Sequence, residues 1–94
     1  MLSILIPAYN VEEYIERCLE SIRNQVYKDF EVIIINDGST DGTLLKIIDF
    51  CKKDSRFKYF TKENGGQMSA YLMGLKFVKG DIVGFVDPDD TIEP

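Results

Sequence analysis

The sequence predicts an α/β domain, a Rossmann-like parallel sheet of strand order 3-2-1-4 with helices on both faces. Apolar runs alternate strictly with stretches of helical periodicity, the connections are a few residues long, and no repeat, low-complexity tract or linker interrupts the 94 residues. Strand-helix-strand units of this kind close by right-handed crossovers, which makes the strands parallel. In that order the first and fourth strands are neighbours whose connections leave in opposite directions, and a ligand crevice opens at their carboxyl ends.

The elements follow in order. Leu2 to Ile6 is a short apolar run ended by Pro7 and reads as a buried strand. A first helix is expected from Asn10, which caps it with Glu13 at the third helical position, and Val11, Ile15, Cys18, Leu19 and Ile22 form its apolar face. Phe30 to Ile35 is nearly continuous in apolar character, as expected of a strand covered on both faces. Leu44, Leu45, Ile48 and Cys51 form the stripe of a second helix, closed by Lys52 and Lys53. Phe57 to Thr61 is a third strand and Asn64-Gly65-Gly66 a turn. Met68, Leu72, Leu75 and Val78 read as the buried side of a third helix ending at Gly80, and Ile82 to Val86 as a fourth strand.

Composition narrows the chemistry. The net charge is −5 and no basic cluster exceeds Lys52-Lys53, so nucleic acid is not expected as a partner. With no histidine, a Ser-His-Asp triad and a His-containing zinc site are excluded, and carboxylates must carry any acid-base or metal chemistry. Cys18 and Cys51 stand far apart without a CxxC pair and read as buried thiols in a reducing compartment. The segment before Pro7 is too short for a signal peptide and no apolar run approaches a membrane span. The expected location is cytoplasmic, with attachment at the inner face of the membrane reserved for segments outside this chain.

Three loops leave the carboxyl ends of the predicted strands: Pro7-Ala8-Tyr9-Asn10, Asn36 to Gly42, and Asp87-Pro88-Asp89-Asp90. Three carboxylates within four residues repel one another unless a cation or shared proton relieves them, and a hard divalent ion, magnesium or manganese, suits such oxygen donors. The competing reading is a solvated acidic turn capping the next helix. Tyr9 offers a flat face for stacking a base, and Asp37 an acceptor for a base N–H or a sugar hydroxyl, although Asp in an Asp-Gly turn also serves to bond its own backbone. The run from Asp37 to Gly42 resembles the front of an EF-hand loop but places Ile48, not Glu, at the twelfth position. Gly65 and Gly66 let the main chain approach a ligand closely or simply form a turn.

In combination, Ile4-Leu-Ile-Pro-Ala-Tyr-Asn10, Asp29 to Gly42, Glu63-Asn-Gly-Gly66 and Gly80-Asp to Asp87-Pro-Asp-Asp90 resemble the family-two glycosyltransferases over essentially the whole chain. The resemblance implies a truncated GT-A domain, the donor-binding half of a larger enzyme. It also implies a nucleotide-diphosphate sugar donor, a divalent metal (Mn or Mg), inversion at the anomeric carbon and an acceptor hydroxyl on a sugar, lipid or polysaccharide, as in cell-envelope polysaccharide synthesis. Residue by residue, it places Pro7, Ala8, Tyr9, Asn10 and Glu12 beside the base and ribose and Asp37 on the base edge. Gly65 and Gly66 border the donor. Asp87 and Asp89 occupy the DxD motif, with Asp89 or the adjoining Asp90 on the metal and Asp87 toward the ribose or sugar, the full metal set being Asp87, Asp89 and Asp90. The family's general base falls beyond Pro94. Tyr71-Leu72 stand where the family often carries Arg-Asn, and Pro88 where it commonly has a small polar residue. The expected truncation also leaves an apolar sheet face and edge suited to self-association. A rival reading takes Asp87-Pro-Asp89-Asp-Thr91 as the DxDxT loop of a haloacid-dehalogenase-type phosphotransferase, with Asp87 as nucleophile, and a third reading is a nucleotide-binding module without turnover.

Overall fold

The computed structural model describes residues 1–25 and 28–88. Four strands form one parallel sheet in the order β3-β2-β1-β4: β1 (Leu2–Ala8), β2 (Phe30–Asp37), β3 (Phe57–Lys62) and β4 (Ile82–Phe85). Helices α1 (Ile15–Arg23), α2 (Thr43–Lys53) and α3 (Gln67–Leu75) fill the crossovers. Strand order and helix alternation are those the sequence predicts. β1 pairs with β2 from Leu2↔Phe30 to Ala8↔Asn36, and with β4 only as far as Leu5↔Phe85. The Leu5 carbonyl still accepts the Val86 N–H, so Pro7, two residues on, turns its missing donor toward a side where β4 has already left. The strand therefore runs through Pro7 to Ala8, and the crevice opens beside it.

The pleat divides the core in two. Ile4, Ile6, Ala8, Val32 and Ile34 face α1 and α2, joined by Ile15, Cys18, Leu19, Ile22, Ile47 and Phe50. Leu5, Ile33 and Ile35 face α3, meeting Ala70 with Phe60, Met73 and Phe77 around them. Alternation along β1 and β2 thus feeds both layers, which accounts for their unbroken apolar runs.

Three local expectations are corrected. Asn10 does not cap a helix. Its φ is +49°, and its side chain is committed to Thr40, whose N–H it accepts at 2.8 Å. A turn on the Val11 carbonyl precedes α1, which begins at Ile15. On α2 the buried positions are Thr43, Ile47 and Phe50, while Leu45 is 74% exposed and Cys51 only half-buried, pushed up to about 11 by burial and by the Asp54 charge.

The third correction is the largest. α3 ends at Leu75, and it turns its small residues, Ala70 and Gly74, to the sheet, leaving Met68 (69%), Leu72 (57%) and Leu75 (45%) exposed. A Cβ on Gly74 would stand 3.0 Å from a Leu5 methyl, so the helix lies as close to the sheet as a glycine permits. Hydrophobic size points to one face of this helix, and close packing selects another. Phe85 and Ile82 on β4 are exposed as well, and Met68, Tyr71, Leu72, Leu75 and Phe85 line one apolar depression.

Candidate donor site

The site is built where β1, β2 and β4 end. A cleft of about 290 Å³ is lined by Pro7 and Ala8 at the end of β1, Tyr9 and Val11 after it, Asp37 closing β2, Asn64 and Gly66 before α3, Gln67 at its start, and Asp87 and Pro88 after β4. Of the residues singled out from the sequence, Pro7, Ala8, Tyr9, Asp37, Gly66 and Asp87 are brought together here. Tyr9 is 47% exposed, which leaves ring surface for stacking.

Asn10 and Glu12 do not line this cleft; they border a neighbouring depression with Asp41 and Lys46. Their polar groups tie the Tyr9 loop to the loop after β2. Asn10 Nδ2 donates to Thr40 Oγ1, Glu12 Oε1 accepts the Gly42 N–H at 3.1 Å, and the Val11 N–H donates to Thr43 Oγ1 at 2.9 Å. Asp41 accepts from the Thr43 N–H and hydroxyl, securing the first turn of α2. Two of the three ligand loops are thereby one unit. Gly65 is not in the lining, although its N–H helps hold the wall. Asp89 and Asp90 lie outside the described residues.

Asp37 is 3% exposed and organises the third wall. Its Oδ1 accepts Lys62 Nζ and the Gly65 N–H at 2.9 Å each, and its Oδ2 accepts the Gly66 N–H at 2.9 Å and Asn64 Nδ2 at 3.2 Å. Burial alone would raise its carboxyl. The Lys62 hydrogen bond, the two glycine N–H groups and the Lys62 charge outweigh it and hold the group below its ordinary value of 3.8. Gly66 has φ +95°, and a Cβ on Gly38 (φ +72°) would fall 2.6 Å from the Asn64 nitrogen, so glycine is required on both sides of this contact.

The motif reading singled out neither Lys62 nor Gln67, and took Asn64 as part of a turn and of the Glu63-Asn-Gly-Gly66 motif without giving it a role. The strand register held the missing signal for Lys62, since Asp37 pairs directly with it across β2 and β3.

A tyrosine face, an anchored carboxylate and an aspartate thus meet at the switch point of a parallel sheet. The family model for glycosyl transferase family 2 matches residues 3–94. The chain belongs to that family. It is 42% identical over 92 residues to the glycosyltransferase GlyA of Streptococcus pneumoniae serotype 4, covering 98% of this chain and 13% of that protein. Among solved structures it superposes on S. aureus TarS in complex with UDP-GlcNAc with a TM-score of 0.85 at 35% identity, over 94% of this chain and 26% of that one. It superposes equally on the mannosyltransferase PcManGT of Pyrobaculum calidifontis in complex with GDP-Man and Mn2+, with a TM-score of 0.88 at 27% identity, over 94% of this chain and 27% of that one. The fold is therefore GT-A, and the chain spans about a quarter or less of the length of these relatives. Family membership leaves the phosphotransferase reading of the acidic loop without support, because the match includes every upstream motif which that reading leaves idle.

Among the described residues no group of three or more Cys, Asp and Glu side chains forms a metal site. Asp87 presents an oxygen donor on the cleft. A magnesium- or manganese-type ion is typically held by one or two carboxylates together with substrate phosphates, so Asp87 is chemically suited to supply one such ligand.

Proposed function

We propose that this chain is the donor-binding half of a metal-dependent, inverting glycosyltransferase acting on a nucleotide-diphosphate sugar. The observation that carries the reading is the single cleft on which the Tyr9 loop, Asp37 with the turn it anchors, and Asp87 converge. The family match and the solved relatives with UDP-GlcNAc and with GDP-Man and Mn2+ support it.

In this reading Tyr9 stacks on the base, Pro7 and Ala8 shape its edge, and Asp37 with the Asn64–Gly66 turn forms the wall against it. Asn10 and Glu12 act from behind, keeping the Tyr9 loop at its height by the bonds to Thr40 and Gly42. Asp87, with Asp89 and Asp90, would hold manganese or magnesium. When bound, the ion supplies Lewis-acid stabilisation of charge on the leaving diphosphate. The acceptor hydroxyl attacks the anomeric carbon opposite the diphosphate, one C–O bond forms as the sugar–phosphate C–O bond breaks, and the hydroxyl proton passes to a carboxylate base beyond Pro94.

Titration of UDP, GDP and their sugars, with and without manganese, tests the reading. Metal-dependent binding that disappears in Asp89→Ala and Asp87→Ala is expected. Equal binding without metal would remove the acidic loop from the site.

A further inference from the structure

The wall of the cleft at Asn64–Gly66 hangs on one carboxylate, and that carboxylate on one cation. Lys62 closes β3 opposite Asp37, and the Nζ–Oδ1 distance is 2.9 Å with side chains 18% and 4% exposed. Lys62 Nζ also donates to the Glu63 carbonyl, so the ammonium is fixed from two sides. A Cβ on Gly65 would stand 2.8 Å from that Nζ, so turn and lysine are fitted directly to one another. Among the described residues, the cleft lining contains two carboxylates, Asp37 and Asp87, and no lysine or arginine. A ligand carrying two or more negative charges meets that lining unfavourably unless positive charge stands close behind it. On the Asp37 side Lys62 is that charge. Without it a carboxylate this buried has lost its cation, and the turn loses the anion on which three of its donors converge.

We propose that Lys62 is a positioning residue of the donor site: by pairing with Asp37 it holds the Asn64–Gly66 turn against the cleft and neutralises the wall that a nucleoside diphosphate must approach. This rests on the nucleotide-donor reading above. Lys62 acts through Asp37 and lies outside the cleft lining. Charge at the end of a long stem is the property required. Arginine retains that charge, methionine retains only the stem, and glutamine supplies a donor without charge.

The test is titration of UDP and GDP, with manganese present throughout, against the 94-residue chain and its Lys62→Met and Lys62→Arg variants, with thermal unfolding and amide hydrogen exchange at Gly65 and Gly66 alongside. In Lys62→Met, nucleotide binding weakens by at least about tenfold and both amides exchange faster, while Lys62→Arg recovers most of each. A folded Lys62→Met that binds as the parent chain does overturns the proposal, as does an arginine variant no better than the methionine one. If Lys62→Met does not fold, Lys62→Gln takes its place with the same two outcomes. A parent chain that binds neither nucleotide refutes the donor reading and with it the ligand named here. A parent chain whose binding survives loss of the lysine charge refutes only the role of Lys62.

Discussion

Glu31 and Asp37 stand on the same face of β2, six residues or about 20 Å apart along the strand, and both are buried carboxylates that gather main-chain donors from distant loops. At the lower end Glu31 Oε2 accepts Ser3 Oγ at 2.6 Å and the Lys79 N–H at 2.7 Å, and Ser3 Oγ in turn accepts the Gly80 N–H at 2.8 Å. At the upper end Asp37 gathers Gly65, Gly66, Asn64 and Lys62. The lower site is sealed. A Cβ on Gly80 would meet the Met1 carbonyl and Ser3 Oγ at 2.5 Å, so the chain is packed tightly there, and the bonds serve to bring it into β4. The upper site opens on the cleft and carries a lysine. One device, a carboxylate bonded by loop N–H groups, fastens a loop at both ends of the sheet, and only where a strand has parted does it border a cleft.

Separate substitutions divide the two ends. Asp37→Ala is expected to cost most, about 3–4 kcal/mol, because it leaves Lys62 and two glycine N–H groups without their acceptor, and nucleotide binding should vanish with it. Chemical denaturation combined with a nucleotide titration reads both. Glu31→Ala should cost about 2–3 kcal/mol, since Ser3 and Lys79 lose one acceptor and no ion pair in contact is broken. The folded fraction should still bind nucleotide as the parent does; a matching loss of affinity would erase the distinction between the ends.

Acid should weaken both. Burial pushes the Glu31 carboxyl up, but the Ser3 hydroxyl, the Lys79 and Gly80 main chain and the Lys58 charge hold it below its ordinary 4.5, and Asp37 likewise lies below 3.8. A carboxyl lowered on folding contributes its stability above the unfolded value, and loses it as pH falls through the folded one. Unfolding free energy should therefore be level with respect to these two groups above about pH 5 and fall in more acidic solution, and Asp37→Asn should flatten part of that fall. A further loss of about 1–3 kcal/mol is expected from Gly66→Ala, because φ +95° with ψ 168° is a backbone conformation found almost only for glycine. Its affinity loss should exceed its stability loss, because the residue borders the cleft.

The exposed apolar surface on α3 and β4 bears on the expectation of self-association. Sedimentation of the chain against Leu72→Glu is the check, with a smaller mean mass in the variant expected if Met68, Leu72, Leu75 and Phe85 bury one another between copies.

Much of this was legible in residue order. Period changes along the chain specify strands and helices, and the two unbroken apolar strands require cover on both faces, because a pleat sends neighbours to opposite sides. Motif order placed Tyr9, Asp37 and Asp87 at the same end of a parallel sheet, since each follows a strand at its carboxyl end. What residue order left open concerns partners distant in sequence. Ala70 and Gly74 face the sheet in place of the larger Leu72 because the contact rewards fit over size. Asn10 and Glu12 serve the adjacent loop because their donors and acceptors meet Thr40 and Gly42 there. Lys62 becomes part of the site only through the β2–β3 register. Local pattern determines what each segment becomes, whereas which polar group answers which depends on distances that exist only once the strands lie side by side.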